Sequence, residues 1–238
     1  MMKRHNSMII FGSNTKKSKK TRKNKDEEDD EEEVEDTTSN LFKQEDTGVY
    51  LKNNHLYYHV EISEKSVDRI KKLMRDYLTK IIKIKNTQLC MKIEPKPLVL
   101  HIYSPGGDVY AGLSLYDFIS EYNNTIPVHT IIEGFSASAA TIISMAGLKR
   151  YITPSSYMLI HQLSTFMGGN FEQIKDEFDN CQKLMIKIKS IYEKKTTIPK
   201  KQLADILKHD IIFDANECVK YGLVDEIKLI DIFNDVNQ

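Results

Sequence analysis

A Gly-Gly pair, a serine and a histidine stand at three points where an apolar run of this chain stops: Gly106-Gly107, Ser138 and His161. Their chemistry is complementary. A serine hydroxyl is a weak nucleophile until a base takes its proton. A neutral histidine does this near pH 7, provided a carboxylate fixes its tautomer and stabilises the imidazolium. A tetrahedral intermediate also needs backbone N–H donors aimed at its oxyanion, and a Gly-Gly turn lets the main chain approach with no side chain in the way. The Ala139 N–H, at a helix start, would be a second donor. The carboxylate must come from earlier or later in the chain.

These residues require elements that bring them to one place. Gly134-Phe-Ser-Ala-Ser-Ala-Ala140 joins the apolar run Val128–Ile132 to another, Thr141–Ala146. This spacing predicts a strand turning abruptly into a helix, where Gly134, Ala137, Ala139 and Ala140 suit the narrow space between the backbones. A plain packing turn would use the same small residues, so this motif alone leaves both readings open. Leu98–Tyr103 is a second apolar run, ending in Ser104-Pro-Gly-Gly107, after which Asp108 opens a helix to about Ser120. Tyr157–Ile160 is a third, ending at His161. Near-continuous apolar strands alternating with helices imply an α/β fold with a mainly parallel sheet covered on both faces. Reactive groups then collect at the carboxyl ends of the strands.

Upstream, Tyr57–Ile62 reads as a strand, followed from about Ser66 by a helix with Val67, Ile70, Leu73, Met74, Tyr77 and Leu78 on one face. Ile82–Pro97 mixes lysines, a short apolar set and two prolines, and reads as an inserted loop or extended hairpin. A chain of 238 residues suits one domain with a tail. Lys16–Lys25 is basic and Asp26–Asp36 is almost wholly acidic, too little apolar content to offset the entropy of ordering. Residues 1–45 are therefore expected to be a disordered tail and 46–238 the folded domain.

The formal net charge of zero argues against nucleic acid as the main partner. Met8–Phe11 is too short for a signal-peptide core and no segment reaches membrane-span length, so a soluble, cytoplasmic protein is expected. Cys90, Cys181 and Cys218 are scattered and odd in number, which indicates neither a disulfide framework nor a metal site. They read as core thiols.

Four motifs, in order, resemble the ClpP proteases, self-compartmentalised serine peptidases of the ClpP and crotonase fold type. Ser-Pro-Gly-Gly at 104–107 resembles the family's oxyanion and substrate-strand motif, and Gly134-Phe-Ser-Ala-Ser138 its nucleophile turn. Met158-Leu-Ile-His-Gln162 is similar to the strand carrying its general base, and Ala215-Asn-Glu-Cys-Val-Lys-Tyr-Gly-Leu-Val-Asp225 to its C-terminal signature. The resemblance spans about Tyr57 to Ile227. It implies Ser138 as nucleophile, His161 as base, Asp210 as the carboxylate, and Gly106, Gly107 and Ala139 as the oxyanion and substrate-binding positions, with no metal or cofactor. Ser136 rivals Ser138, Asp205 and Asp214 rival Asp210, and His209 could reach a nearby carboxylate. His101 and His129 lie within strands and read as packed or surface histidines; His5, His55 and His59 fall outside every motif. Ala139-Ala140 stand where the family commonly has Met-Gly, and the interval from Ser138 to His161 is shorter than usual.

Phe171 to Tyr192 carries apolar residues at Phe171, Ile174, Phe178, Cys181, Met185, Ile188 and Tyr192, with Leu184 and Ile191 on a second line. That is a seam along one long helix. The resemblance implies the handle helix by which heptameric rings stack in pairs, polypeptide substrates, and an ATP-driven AAA+ unfoldase as partner. A catalytically silent scaffolding subunit and a viral or phage maturation protease of this fold are the alternative readings. A signal-peptide-peptidase-like enzyme would use a lysine base, against which His161 counts.

Overall fold

The computed structural model describes residues 48–87 and 96–229. The charged tail, Cys90 and the middle of the Ile82–Pro97 segment lie outside the described residues. The chain begins with an antiparallel hairpin, β1 (Val49–Lys52) and β2 (His55–Tyr58), turned by Asn53-Asn54 with Asn53 at φ 55°. Asparagine tolerates this left-handed backbone. The strand expected over Tyr57–Ile62 thus lies earlier: past Tyr58 the chain leaves the ladder, and Ile62 rejoins it only through a parallel bridge to Gly107.

Helix α1 runs Glu64–Thr87, so Ile82 to Thr87 is helical rather than loop. Its lysines fall on the exposed side, and Ile81 packs against the core. The lysine-apolar mixture recurs at helical period, and lysine is a good helix former, so the segment continues the helix. Then follow β3 (Leu98–Ser104), α2 (Val109–Tyr122), β4 (Val128–Ala137), α3 (Ala139–Ser144), β5 (Lys149–Ile152) and β6 (Tyr157–Ile160). The chain closes with α4 (Phe171–Lys195), α5 (Lys200–Ile206), β7 (Ile211–Phe213), α6 (Ala215–Lys220) and β8 (Glu226–Ile227). Asp108 caps α2 by accepting from Ala111 N–H at 2.9 Å, as a helix opening there requires.

The sheet order is β1-β2-β3-β4-β5-β8, parallel from β2 onward, with β6 beside the far half of β4 and β7 antiparallel to β6. Strand β4 is twice the expected length because, beyond Gly134 at φ 66°, Phe135–Ala137 continue it by pairing with β6. Leu56, Leu98, Leu100, Ile102, Val128 and Ile132 form one buried core with Ile70 and Met74 of α1, Leu115 and Ile119 of α2, and Ile142 and Ile143 of α3. Burying each such side chain contributes about 1.5–3 kcal/mol.

Helix α4 has the expected span, and the Asn170 and Gln173 capping box fixes its start. Its two ends differ. Ile188, Ile191 and Tyr192 are buried, Met185 packs against the same core, and the Tyr192 hydroxyl bonds Thr141 Oγ1 at 2.5 Å. Phe171 and Phe178 are 77% and 53% exposed.

Candidate active site

Strand β3 delivers the Ser104-Pro-Gly-Gly107 turn. A Cβ on Gly106 (φ +96°) would sit 2.7 Å from Ser138 Cβ, and one on Gly107 (φ +139°) 2.3 Å from Ile62 O, so neither position admits a side chain. The turn is pinned from outside: Ile62 N–H donates to Gly106 O at 2.7 Å, and Asp108 N–H to Ile62 O at 2.9 Å. These bonds leave the Gly107 N–H on the other side of the turn, with no acceptor among the described residues.

Ser138 closes β4 and caps α3 with φ 55° and ψ −127°, a conformation that costs a non-glycine residue on the order of 1–3 kcal/mol. Neighbouring strands hold it there. Its N–H donates to Leu159 O at 2.9 Å, and its carbonyl accepts from Thr141 N–H at 3.0 Å and Thr141 Oγ1 at 2.6 Å. Its side chain is half-buried, at the mouth of the Gly106 contact. Ala139 N–H, first in α3, has no intrahelical acceptor by position. Ser136 is fully buried within the ladder, opposite Ser104 and Met158, with its Oγ unbonded.

His161 follows β6 directly. Antiparallel β7 pairs Ile211 with Ile160, so the next pair outward is His161 with Asp210. His161 Nδ1 lies 3.6 Å from Asp210 Oδ1, with the histidine side chain 22% exposed and the aspartate 79%. Other carboxylates are engaged elsewhere: Asp214 accepts from Glu217 N–H as the cap of α6, and Asp205 pairs with Lys208 at 2.9 Å. The Lys208 ammonium holds the Asp205 carboxyl below its ordinary range. The structure brings His161 to Asp210 and Ser138 to Gly106; the β4–β6 register, which pairs Ala137 with Leu159, sets Ser138 level with Ile160, one residue before His161.

The Clp protease family pattern matches residues 86–230, more than half the chain. An ATP-dependent Clp protease proteolytic subunit from Deinococcus radiodurans is 30% identical over 177 residues, covering 69% of this chain and 86% of the relative. Subunit 1 from Chlamydia pneumoniae is 31% identical over 193 residues, covering 78% and 91%. The chain belongs to the Clp protease family. Serine-type peptidase is the enzyme class that goes with this membership. Among the described residues, no helix is long and apolar enough to cross a membrane.

One group of titratable residues in this Clp family member was not assembled from the sequence. His55 and His59, outside every motif, meet the strand residue His101 and Glu133 on one face of the sheet. Burial lowers the His59 pKa, and nearby His101 adds to this while Glu133 partly offsets it. The period-two alternation of three neighbouring strands could have revealed the group, since His55, His101 and Glu133 all lie opposite the core-facing positions. Burial also pushes the Cys218 thiol up to about 12, with the carboxylates of Asp214 and Glu217 acting in the same direction.

Proposed function

We propose that the chain is a Clp-type serine endopeptidase in which Ser138 attacks the scissile carbonyl and His161 takes its proton. His161 then passes that proton to the leaving amine, and water, activated by the same ring, hydrolyses the acyl-enzyme. Asp210 accepts from His161 Nδ1–H, which leaves Nε2 as the base and stabilises the imidazolium. Gly107 and Ala139 N–H groups receive the oxyanion, and Gly106 leaves room for the substrate backbone. No metal or cofactor enters these steps. The observation that carries this reading is the register: β4, β6 and β7 put Ser138, His161 and Asp210 on three adjacent strand ends, with the bare Gly106-Gly107 turn against the serine.

The proposal extends to assembly. The exposed apolar start of α4 suits contact with another copy, and heptameric rings stacked in pairs would enclose a chamber for polypeptide substrates. The relatives are named as ATP-dependent proteolytic subunits, which supports an AAA+ unfoldase partner in the cytoplasm. The test is a fluorophosphonate probe on the purified chain. It should label Ser138, and labelling should vanish in Ser138→Ala but persist in Ser136→Ala. Labelling that follows Ser136 overturns the assignment, and no labelling of the assembled parent favours a silent scaffolding subunit.

A further inference from the structure

His101 is 1% exposed, yet both of its ring nitrogens are engaged: Nε2 lies 2.8 Å from His55 Nδ1, and Nδ1 is bonded to Glu133. A carboxylate only accepts, so His101 Nδ1 carries a hydrogen and Nε2 is left to accept from His55 Nδ1–H. Tyr57 stacks on the His101 ring at 4.4 Å and Tyr50 stacks on Tyr57 at 4.6 Å, sealing the relay from above. The Glu133 side chain is only 18% exposed. Replacing both partners of a buried hydrogen bond by apolar groups of the same shape is nearly neutral for stability, so what the Glu133–His101 contact supplies is a fixed geometry.

That geometry sits on an irregularity. In the β3–β4 ladder Ile102 pairs with Ile132 and Ser104 with Ser136, so Tyr103 alone spans the interval that Glu133, Gly134 and Phe135 fill on β4. Strand β4 must bulge there. The bulge is held by His101 on Glu133, by the Tyr103 ring within 3.2 Å of where a Gly134 Cβ would be, and by Gly134 N–H donating to Ser156 Oγ at 2.6 Å. Immediately beyond it come Ser136, Ala137 and Ser138. The amount by which β4 buckles therefore sets how far the Ser138 turn projects past the strand end toward Gly106.

We infer that Glu133 and His101, backed by His55, are positioning residues for the peptidase reaction: they fix the β4 bulge and through it the height of the Ser138 turn. This rests on the reading of Ser138 as nucleophile. The relay touches no substrate, and the reaction uses none of its protons.

The test uses the full chain with Glu133→Leu, Glu133→Gln and His101→Phe, and reads kcat and KM on a fluorogenic peptide together with the fluorophosphonate labelling rate. Hydrogen exchange of the amides in 130–140 is read alongside. Glu133→Leu and His101→Phe should lower kcat and the labelling rate by about tenfold or more with KM nearly unchanged, since a displacement of about 1 Å costs about a hundredfold. Exchange should rise in 133–138 while peptides from α1 stay protected. Glu133→Gln keeps an acceptor oxygen for His101 Nδ1–H and should restore most of the rate. Parent rates and parent exchange in Glu133→Leu overturn the inference; so does a rise in exchange spread over the whole sheet, or a Gln variant no better than Leu. If the parent never labels but 133–138 still loosens locally in Glu133→Leu, the serine reading fails and the control of the turn stands.

Discussion

The two halves of the candidate site are built differently. The nucleophile half, Gly106-Gly107 with Ser138-Ala139, is enclosed by the chain's own core: Gly106, Ala137 and Ala139 are buried, and α3 behind them is buried throughout. The base half is open. Asp210 is 79% exposed, residues 164–166 are exposed, and α4 leaves its first turns bare. Strain at Ser138 is kept because core packing and ladder bonds over-determine it, whereas His161 and Asp210 are aligned by a three-residue strand and a long polar contact. A single chain thus fixes where the proposed oxyanion and nucleophile groups stand and leaves the proposed base to whatever covers it.

The largest effect that bears on this contrast is at the carboxylate. Asp210→Asn should lower kcat about a thousandfold to ten-thousandfold in the assembled protein by favouring the wrong histidine tautomer, with structure unchanged by circular dichroism. Asp214→Asn should be close to neutral, because asparagine caps α6 nearly as well. Since Asp210 is so exposed in the single chain, solvent would screen its pull on His161, and the Asp210→Asn penalty should shrink in any dissociated form. An equal penalty in both forms would mean that the base half needs no cover.

Helix α4 allows the same contrast to be tested within one element. Ile191→Ala empties a core position and should cost about 2–5 kcal/mol of unfolding free energy. Phe171→Ser and Phe178→Ser remove side chains the chain itself leaves exposed, so denaturation should barely change while light scattering reports smaller particles and kcat falls. Met185 belongs with Ile191 rather than with the phenylalanines: it packs on the core, and its sulfur accepts from Leu163 N–H at 3.1 Å. Spacing alone puts Phe171, Phe178 and Met185 on one seam, and the packing separates them. Phe178→Ser chains that unfold, or that stay the same size and fully active, would remove the difference between the two ends of the helix.

What the sequence showed and what it hid divide along the same line. Strands β3 and β6, helix α2 and the whole of α4 were legible because their apolar residues recur at the right period and their ends carry Asp108, Asn170 or glycine. Ser138 and His161 stood out because each directly adjoins an apolar run, whereas Asp210 was a candidate only through the family resemblance, by its place ahead of the C-terminal signature. Strand β7 and its partner register were not, since three residues of Ile-Ile-Phe carry no periodic signal and acquire extended structure only by pairing with β6. The β4 bulge was hidden for a related reason: Glu133-Gly134 reads as the end of an apolar run, and only the partner strand shows that the ladder resumes at Ser136. His55, His59, His101 and Glu133 are brought together by register between β2, β3 and β4, which no single stretch of the sequence encodes.

The smallest predicted effect concerns pH and lies on the enclosed side of the comparison. Burial lowers the pKa of His59, and burial with nearby Lys149 and Lys228 lowers that of His129. Each ring therefore binds its proton less readily folded than unfolded. Between the unfolded value of about 6.5 and the lower folded value the unfolded chain holds more protons, so stability is full above that window and falls as pH drops through it. Both rings are partly exposed, and screening keeps the change modest. Urea midpoints should thus decline gently from pH 7 to 5.5, before carboxylate protonation dominates, and His129→Gln should flatten part of that slope. The Phe171→Ser and Phe178→Ser forms should keep the parent slope, because neither histidine lies on α4. A slope that steepens on dissociation would place the titrating groups at the open half instead, and an unchanged slope in His129→Gln would remove that ring from the account.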